Sequence, residues 1–338
     1  MNKLNNIPKS VPSHIAKLNP SLWTLPEKNI NWQDLDLQNN YIISGSAFID
    51  LDDSYGAMGN PFAVIIGNKV KDINKDDRSK IVKKTGTPET VFINEYSFVK
   101  KNSGKNFYKL NVTVYTPSHK ELGACAHGFT GAIQTLLDFG LILPYSEVAI
   151  ETTLSTSAEV SISADGVIAL HFTAEKPQEK EILGDELKSI FGVSLFSSAK
   201  KLPVLSVGSP KMIIELPQDV FMNVQKNLGM LDYDALLAFE KKNQINGIHL
   251  FCRNSKNNLP EKAIQVNAYL GKENMIDPAT GVSAAPQISK DDYVKENQEV
   301  KITQYALNGP SAVLMVTKRV GNSVEVGGTA KLFNYLSF

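Results

Sequence analysis

Two short segments of this chain combine residue types that can hold a charge or move a proton. The first is Ala124-Cys125-Ala126-His127-Gly128, with Thr130-Gly131 just after it. The second is Ile276-Asp277-Pro278-Ala279-Thr280-Gly281. The Thr-Gly pairs start at positions 130 and 280, an offset of 150. If each pair opens a helix, each presents free backbone N–H groups and the positive end of a helix dipole, a place suited to an anion such as a carboxylate. Two such termini facing each other across a cleft would clamp a small acidic molecule. Two ordinary helix caps would show the same spacing, and spacing alone favours them. His127 and Asp277 stand just before the two expected helices and would put a proton-carrying group on each side. A lone His and an Asp before Pro are also common structural residues.

Other chemistries find less support. Cys125-x-His127 and His249-x-x-Cys252 contain two Cys and two His. His249 and Cys252 fall in the strand-like run Ile248–Cys252, where their odd spacing sends the side chains to opposite faces. Cys125-x-His127 lacks the usual zinc spacing, so no metal is expected. No phosphate-binding P-loop and no G-x-G-x-x-G stretch occurs, which leaves nucleotide cofactors unsupported. Lys+Arg and Asp+Glu are both 35, so the net charge is zero and no basic excess is available to bind nucleic acid or an anionic membrane. No apolar run approaches the ~20 residues of a membrane span, and the first ten residues are polar. Two cysteines cannot form a disulfide framework, so a cytoplasmic location is expected.

The elements that must position these residues follow from hydrophobic pattern. Residues 1–40 carry four prolines and no sustained periodicity, and read as an extension that Trp23 and Trp32 would pack onto the rest. Strands are expected at Ala47–Leu51, Phe62–Ile66, Thr90–Ile93, Tyr108–Tyr115, Val148–Thr152, Val160–Ile162 and Val167–Phe172. Amphipathic helices are expected at Asp76–Lys84, Asp219–Leu228 and Asp232–Lys242. Gly128–Phe139 is apolar on nearly every side and reads as a buried helix. Strands outnumber helices, which indicates an α+β chain with antiparallel sheets. A faint repeat adds to this: Gly59-Asn60-Pro61 recurs as Gly208-Ser209-Pro210 at an offset of 149, close to that of the Thr-Gly pairs. It implies two similar lobes, 41–155 (with 325–338 returning to it) and 156–324.

Taken in order, the motifs resemble those of the phenazine-biosynthesis PhzF-like proteins, within the diaminopimelate-epimerase-like fold. Gly59-Asn60-Pro61-Phe62-Ala63-Val64 is similar to the family's opening G-N-P-x-A-V, and Pro88-Glu89-Thr90-Val91-Phe92-Ile93 to its S-E-T-x-F-V. Tyr115-Thr116-Pro117, Glu121 and Cys125-Ala126-His127-Gly128 resemble its F-T-P…E…C-G-H-A stretch. Asp277-Pro278-Ala279-Thr280-Gly281 matches D-P-x-T-G, and Val326-Gly327-Gly328-Thr329-Ala330 resembles the closing V-G-G-x-A. The resemblance runs from about Ala47 to near the C-terminus.

That resemblance implies two lobes, each a curved, mostly antiparallel sheet around a central helix, with the site in the cleft between them. It implies a cofactor-independent isomerase or epimerase that moves a proton on a small carboxylate, and a homodimer. The proton-moving Glu maps to Glu89; Glu95 resembles it but lacks the Thr90 and Phe92 match. His127 and Asp277 would assist. Asn60, Gly128, Thr280, Gly281 and Ser283 would bind substrate. An opposed pair of thiols, as in related racemases, is not expected, because the second lobe offers Asp277-Pro278 where the thiol would stand. Four departures stand against the pattern: Ala126 for the Gly of C-G-H, Val282 for a Ser, Gly309 followed directly by Pro310 without an Arg, and Pro286 inside the second central helix. They motivate a second expectation, a non-catalytic small-molecule-binding or protein-interaction member of the same fold.

Overall fold

The computed structural model describes residues 31–49, 59–100, 105–272, 275–307 and 309–338. The first lobe is built from β1 (Tyr41–Ala47), β2 (Asn60–Ile66), β3 (Glu89–Lys100), β4 (Asn106–Tyr115), β5 (Glu121–Leu122), β6 (Ser146–Thr152), β7 (Ser157–Ile162) and β8 (Ile168–Thr173). The second contains β9 (Gln178–Ile182), β10 (Lys200–Leu205), β11 (Lys211–Glu215), β12 (Ile248–Arg253), β13 (Pro260–Val266), β14 (Ile276–Asp277), β15 (Glu299–Ala306), β16 (Gly309–Lys318) and β17 (Ser323–Gly328). The final strand, β18 (Ala330–Ser337), returns to pair with β1.

The pairing repeats between the lobes. β1 is antiparallel and β3 parallel to β2; β10 is antiparallel and β12 parallel to β11. β4 pairs in parallel with β6, as β13 does with β15. Hairpins β6–β7–β8 match β15–β16–β17, and β18 beside β1 matches β9 beside β10. The lobes join where β8 pairs with β17. That correspondence matches β1–β8 and β18 of one lobe to β9–β17 of the other.

Six helices occur among the described residues: α1 (Lys75–Thr85), α2 (Ala126–Asp138), α3 (Gly184–Phe191), α4 (Gln218–Lys226), α5 (Tyr233–Asn243) and α6 (Gly281–Lys290). None is long and apolar enough to cross a membrane. The side-chain period of two explains how each sheet holds two layers. Phe62, Val64 and Ile66 of β2 join the core around α2, while Ala63 and Ile65 face the core under Val82 of α1. In β12, Ile248, Leu250 and Cys252 face the core of α3, α4 and α5, and Phe251 faces the core shared by α2 and α6. A sheet covered on both sides explains why every residue of β2 is buried. The central helices α2 and α6 are buried almost all round because sheet surrounds them.

Most expected elements are found within two residues. The strand expected at Ala47–Leu51 is a correction: β1 spans Tyr41–Ala47, and residues 50–58 lie outside the description. Of the extension, residues 1–30 and Trp23 lie outside it as well, whereas Trp32 packs 6.0 Å from the Phe139 ring and 6.2 Å from that of Tyr335. The first Thr-Gly is also corrected. Thr130 and Gly131 sit in the second turn of α2, which starts at Ala126, so His127 belongs to the first turn and does not precede the helix. Thr280-Gly281 does open α6. Helix α6 runs through Pro286 and ends after 10 residues, against 13 for α2.

Candidate active site

The N-termini of α2 and α6 meet in the cleft. A β-carbon on Gly281 would stand 2.8 Å from the Ala126 methyl, so the two helices approach this closely only with glycine at one of the positions. The Ala at 126, a departure from C-G-H, is thereby met by a glycine across the cleft. Beside the termini lies a cavity of about 140 Å³. Glu89, Cys125 and His127 line it from the first lobe; Tyr269, Asp277, Thr280 and Gly281 line it from the second. Lys120, Ser209, Asn246 and Val282 also contribute to its wall.

Glu89 begins β3 and is 3% exposed; His127 is 5% and Asp277 3% exposed. His127 Nε2 lies 2.8 Å from Glu89 Oε2, an ion-pair contact in which neither atom has an aligned hydrogen bond among the described residues. The other ring nitrogen, Nδ1, is 3.2 Å from Asn60 Nδ2 and 3.8 Å from Cys125 Sγ. Asn60 joins the lobes: the two hydrogens of its Nδ2 go to Asp277 Oδ1 at 2.9 Å and to the Ala279 carbonyl at 2.9 Å, so its approach to His127 is a contact and not a third donation. Glu89, His127, Asn60 and Asp277 therefore form one buried chain. Glu95 is exposed, past a register shift in β3, and plays no part in it.

Electrostatics set these groups apart. Burial pulls His127 down, but Cys125 and Glu89 outweigh it and hold the imidazole well above its usual range. Burial pushes the Cys125 thiol up, against the downward pull of His127. Burial, then the nearby Glu89 charge, raises Asp277 to about 6. A carboxyl poised near neutrality can gain or lose a proton at working pH.

The loop before α6 is built to hold Asp277 in place. Asp277 Oδ1 accepts from the Ala279 N–H at 3.1 Å, and Oδ2 from Asn267 Nδ2 at 3.3 Å. Gln304 bridges the loop: its Nε2 donates to the Asp277 carbonyl at 2.5 Å, and its Oε1 accepts the Thr280 N–H at 2.9 Å. Ser311 Oγ donates to the carbonyls of Pro278 at 2.6 Å and Gln304 at 3.0 Å. Thus the Gly309-Pro310-Ser311 segment supports the loop without an Arg.

Three expected substrate-binding residues stand away from the cavity wall. Asn60 acts behind it, through His127 and Asp277. Gly128 is a packing glycine: a β-carbon there would lie 2.9 Å from both Cys125 Sγ and Val91 Cγ2. Its N–H is directed to the Cys125 sulfur. Ser283 is fully buried in α6, and its hydroxyl has no hydrogen-bond partner among the described residues. Sequence reading missed Tyr269, Asn267, Gln304 and Lys211. All four lie outside the short motifs: Lys211 and Gln304 stand on β11 and β15, and Asn267 and Tyr269 in the turn that follows β13.

Glu89, Cys125 and His127 are the one cluster of three metal-capable groups among the described residues. They fit a metal poorly. Glu89 approaches Nε2 and Cys125 approaches Nδ1, opposite sides of one ring, so the three do not converge on a point. At 2.8 Å the Glu89–His127 pair is also closer than two ligands of one tetrahedral zinc, each about 2.0–2.2 Å from the ion, would stand. His249 and Cys252 do point apart: His249 bonds Gln265 and Gln287 at 3.1 and 3.0 Å, and Cys252 sits in the other core. The helix N-cap positions hold Cys125 and Thr280, so Cys125 faces no second thiol there.

No family model matches the chain, and no curated protein matches its sequence. Solved structures do. A Bacillus anthracis phenazine biosynthesis protein of the PhzF family superposes with TM-score 0.64 at 18% identity, over 88% of this chain and 98% of that one. An Enterococcus faecalis PhzF family protein gives TM-score 0.62 at 20% identity, over 89% and 98%. A hydroxyproline epimerase from Agrobacterium vitis, solved with trans-4-hydroxy-L-proline bound, gives 0.56 at 11% identity, over 89% and 92%. The two-lobed chain with Glu89, His127 and Asp277 in its cleft therefore has the diaminopimelate-epimerase-like fold of the PhzF structures.

Proposed function

We infer that this chain is a cofactor-independent isomerase or epimerase that moves a proton on a small carboxylate. The observation that carries this reading is the buried Glu89–His127 contact at 2.8 Å, with Asp277 facing it across a cavity of about 140 Å³. In this reading Glu89 takes a proton from substrate carbon and His127 stabilises or relays it. When Glu89 takes a proton, Asp277, on the other lobe, gives the second; in the reverse direction Asp277 takes and Glu89 gives. The α2 and α6 termini beside the cavity favour the substrate carboxylate. The cavity is smaller than the roughly 300–1,000 Å³ of drug-sized pockets, which supports a small molecule. Burial keeps solvent from diluting the proton transfer. The fold shared with PhzF and epimerase structures supports the reaction class. A cytosolic location accompanies the reading, which the two free, buried cysteines suit, and a homodimer, which rests on resemblance alone.

The test is hydrogen exchange. The purified protein is incubated in heavy water with a panel of small cyclic, unsaturated and hydroxy carboxylic acids, and deuterium at carbon is followed by NMR. Glu89→Gln is expected to lose at least about 100-fold of the exchange rate, the low end of acid–base contributions. Exchange at the wild-type rate in that variant would overturn the role of Glu89. Tight binding of a panel member without any exchange would select the non-catalytic binding module instead.

A further inference from the structure

Lys211 is a lysine with 0% exposure, and the chemistry above makes no use of it. Its position in the repeat is informative. Gly208-Ser209-Pro210-Lys211 corresponds to Gly59-Asn60-Pro61-Phe62, so the lysine stands where the first lobe has a core phenylalanine. An ammonium is costly to bury, and it persists only where its donors are used. Those of Lys211 are used on the second-lobe side of the cavity. Nζ donates to the Asn246 carbonyl and, at 3.0 Å, to Asn267 Oδ1. It also lies 4.8 Å from the centre of the Tyr269 ring.

The consequence lies in the Asn267 amide. Its oxygen accepts from Lys211 Nζ and from Gln265 Nε2 at 2.5 Å. With the oxygen fixed by two donors, the amide can turn only its NH2 group to Asp277, which it reaches at 3.3 Å. A reversed amide would set its oxygen against the carboxylate and leave Lys211 facing a donor.

We propose that Lys211 is a positioning residue for Asp277: bonded to Asn267 Oδ1, it orients the Asn267 amide so that its NH2 group holds Asp277 as an ionised acceptor at the cavity. The proposal deepens, and rests on, the reading of Asp277 as a proton carrier. Asp277 also faces Glu89 and His127 from the first lobe. Lys211 faces Asp277, Glu240, Glu89 and Lys120, with His249 and Tyr269 packed nearby. A change in Asp277 could therefore arise through the amide or directly from the lysine charge, and the test separates the two.

Full-length protein labelled with carbon-13 at aspartate Cγ is titrated by NMR, with the Asp277 resonance assigned through Asp277→Asn. Lys211→Met removes donor and charge, and is expected to raise the Asp277 midpoint by at least one pH unit. Lys211→Gln removes the charge but keeps an N–H for Asn267; it is expected to bring the midpoint back to within about half a unit of wild type. Asn267→Leu, which leaves Lys211 in place, is expected to match Lys211→Met. It carries the test if Lys211→Met fails to fold. An unchanged midpoint in Asn267→Leu, or a Gln variant that behaves like Met, would overturn the proposal. The titration uses no substrate, so it can fail while hydrogen exchange succeeds, and the reverse.

Discussion

The two lobes share a strand order and a central helix, yet their matching positions carry different chemistry. Phe62 of β2 pairs with Glu89 of β3. In the second lobe Met212 pairs with Ile248, so the repeat places Lys211 opposite Gly247. Glu89 thus has a glycine as its counterpart, and no side chain fits there: a β-carbon on Gly247 would stand 2.1 Å from Asn267 Oδ1. One lobe supplies the buried carboxylate and the imidazole. The other gives the corresponding space to the amide that supports its own acid, Asp277. Backbone pairing and core volume are the properties that two halves of a repeat must keep. The side chains at the cleft are free to diverge, and their divergence makes the site asymmetric.

Three changes would break or sharpen that comparison. The largest effect on stability is expected from Phe62→Ala. The ring is fully buried in the core around α2, and its loss should cost about 3–5 kcal/mol in urea denaturation. A cost below about 1 kcal/mol, less than a smaller core truncation usually gives, would mean that this repeat position does not anchor the first lobe.

A pH-dependent effect is expected next, in the second lobe. Burial pushes Glu240 up to about 7 from an ordinary 4.5, while its Oε1 accepts the Ala268 N–H at 2.7 Å. The folded chain therefore binds this proton more tightly than the unfolded chain. The stability this provides is complete below about 4.5 and is lost as pH rises through 7. Glu240→Gln keeps the acceptor and has no charge to bury. Relative to wild type it should gain on the order of 1–3 kcal/mol between pH 4 and pH 8, read by denaturation at both. A gap independent of pH would contradict the assignment.

The smallest effect is expected from Ser311→Ala, which removes one hydroxyl bridging the carbonyls of Pro278 and Gln304. It should cost about 1–2 kcal/mol. Because the loop carries Asp277, hydrogen exchange should fall several-fold. Lost stability with unchanged exchange would show that the loop does not position Asp277.

Much of the fold could be read in advance, for a physical reason. Strands such as Phe62–Ile66 and helices such as Asp232–Lys242 advertise themselves through side-chain period and bounding polar residues, which are local properties. Where local cues misled, packing had decided. Thr130-Gly131 and Thr280-Gly281 are the same dipeptide, but α2 starts five residues earlier relative to it because Ala126 and Gly128 let its first turn press against Cys125, Val91 and the opposite helix. Of the Ala47–Leu51 run only Ala47 is paired among the described residues, and the strand instead runs back to Tyr41, where β1 fills the space between β2 and β18. Glu89 could be chosen over Glu95 only through resemblance to known motifs. Both are glutamates in one strand, and only tertiary packing buries one and exposes the other.

Taken alone, the sequence determined the class of the fold, the approximate elements, the faint repeat and the short list holding Glu89, His127 and Asp277. These depend on periodicity, composition and motif order, all carried along the chain. Tertiary structure decided which groups touch: the Glu89–His127 contact, Asn60 bridging both lobes, and Lys211 reaching Asp277 through Asn267. Each of these joins residues 38 or more positions apart except the last link, from Asn267 to Asp277 ten positions on. Such contacts depend on strand register and on how two lobes close over one cavity, and no local pattern in the chain encodes either.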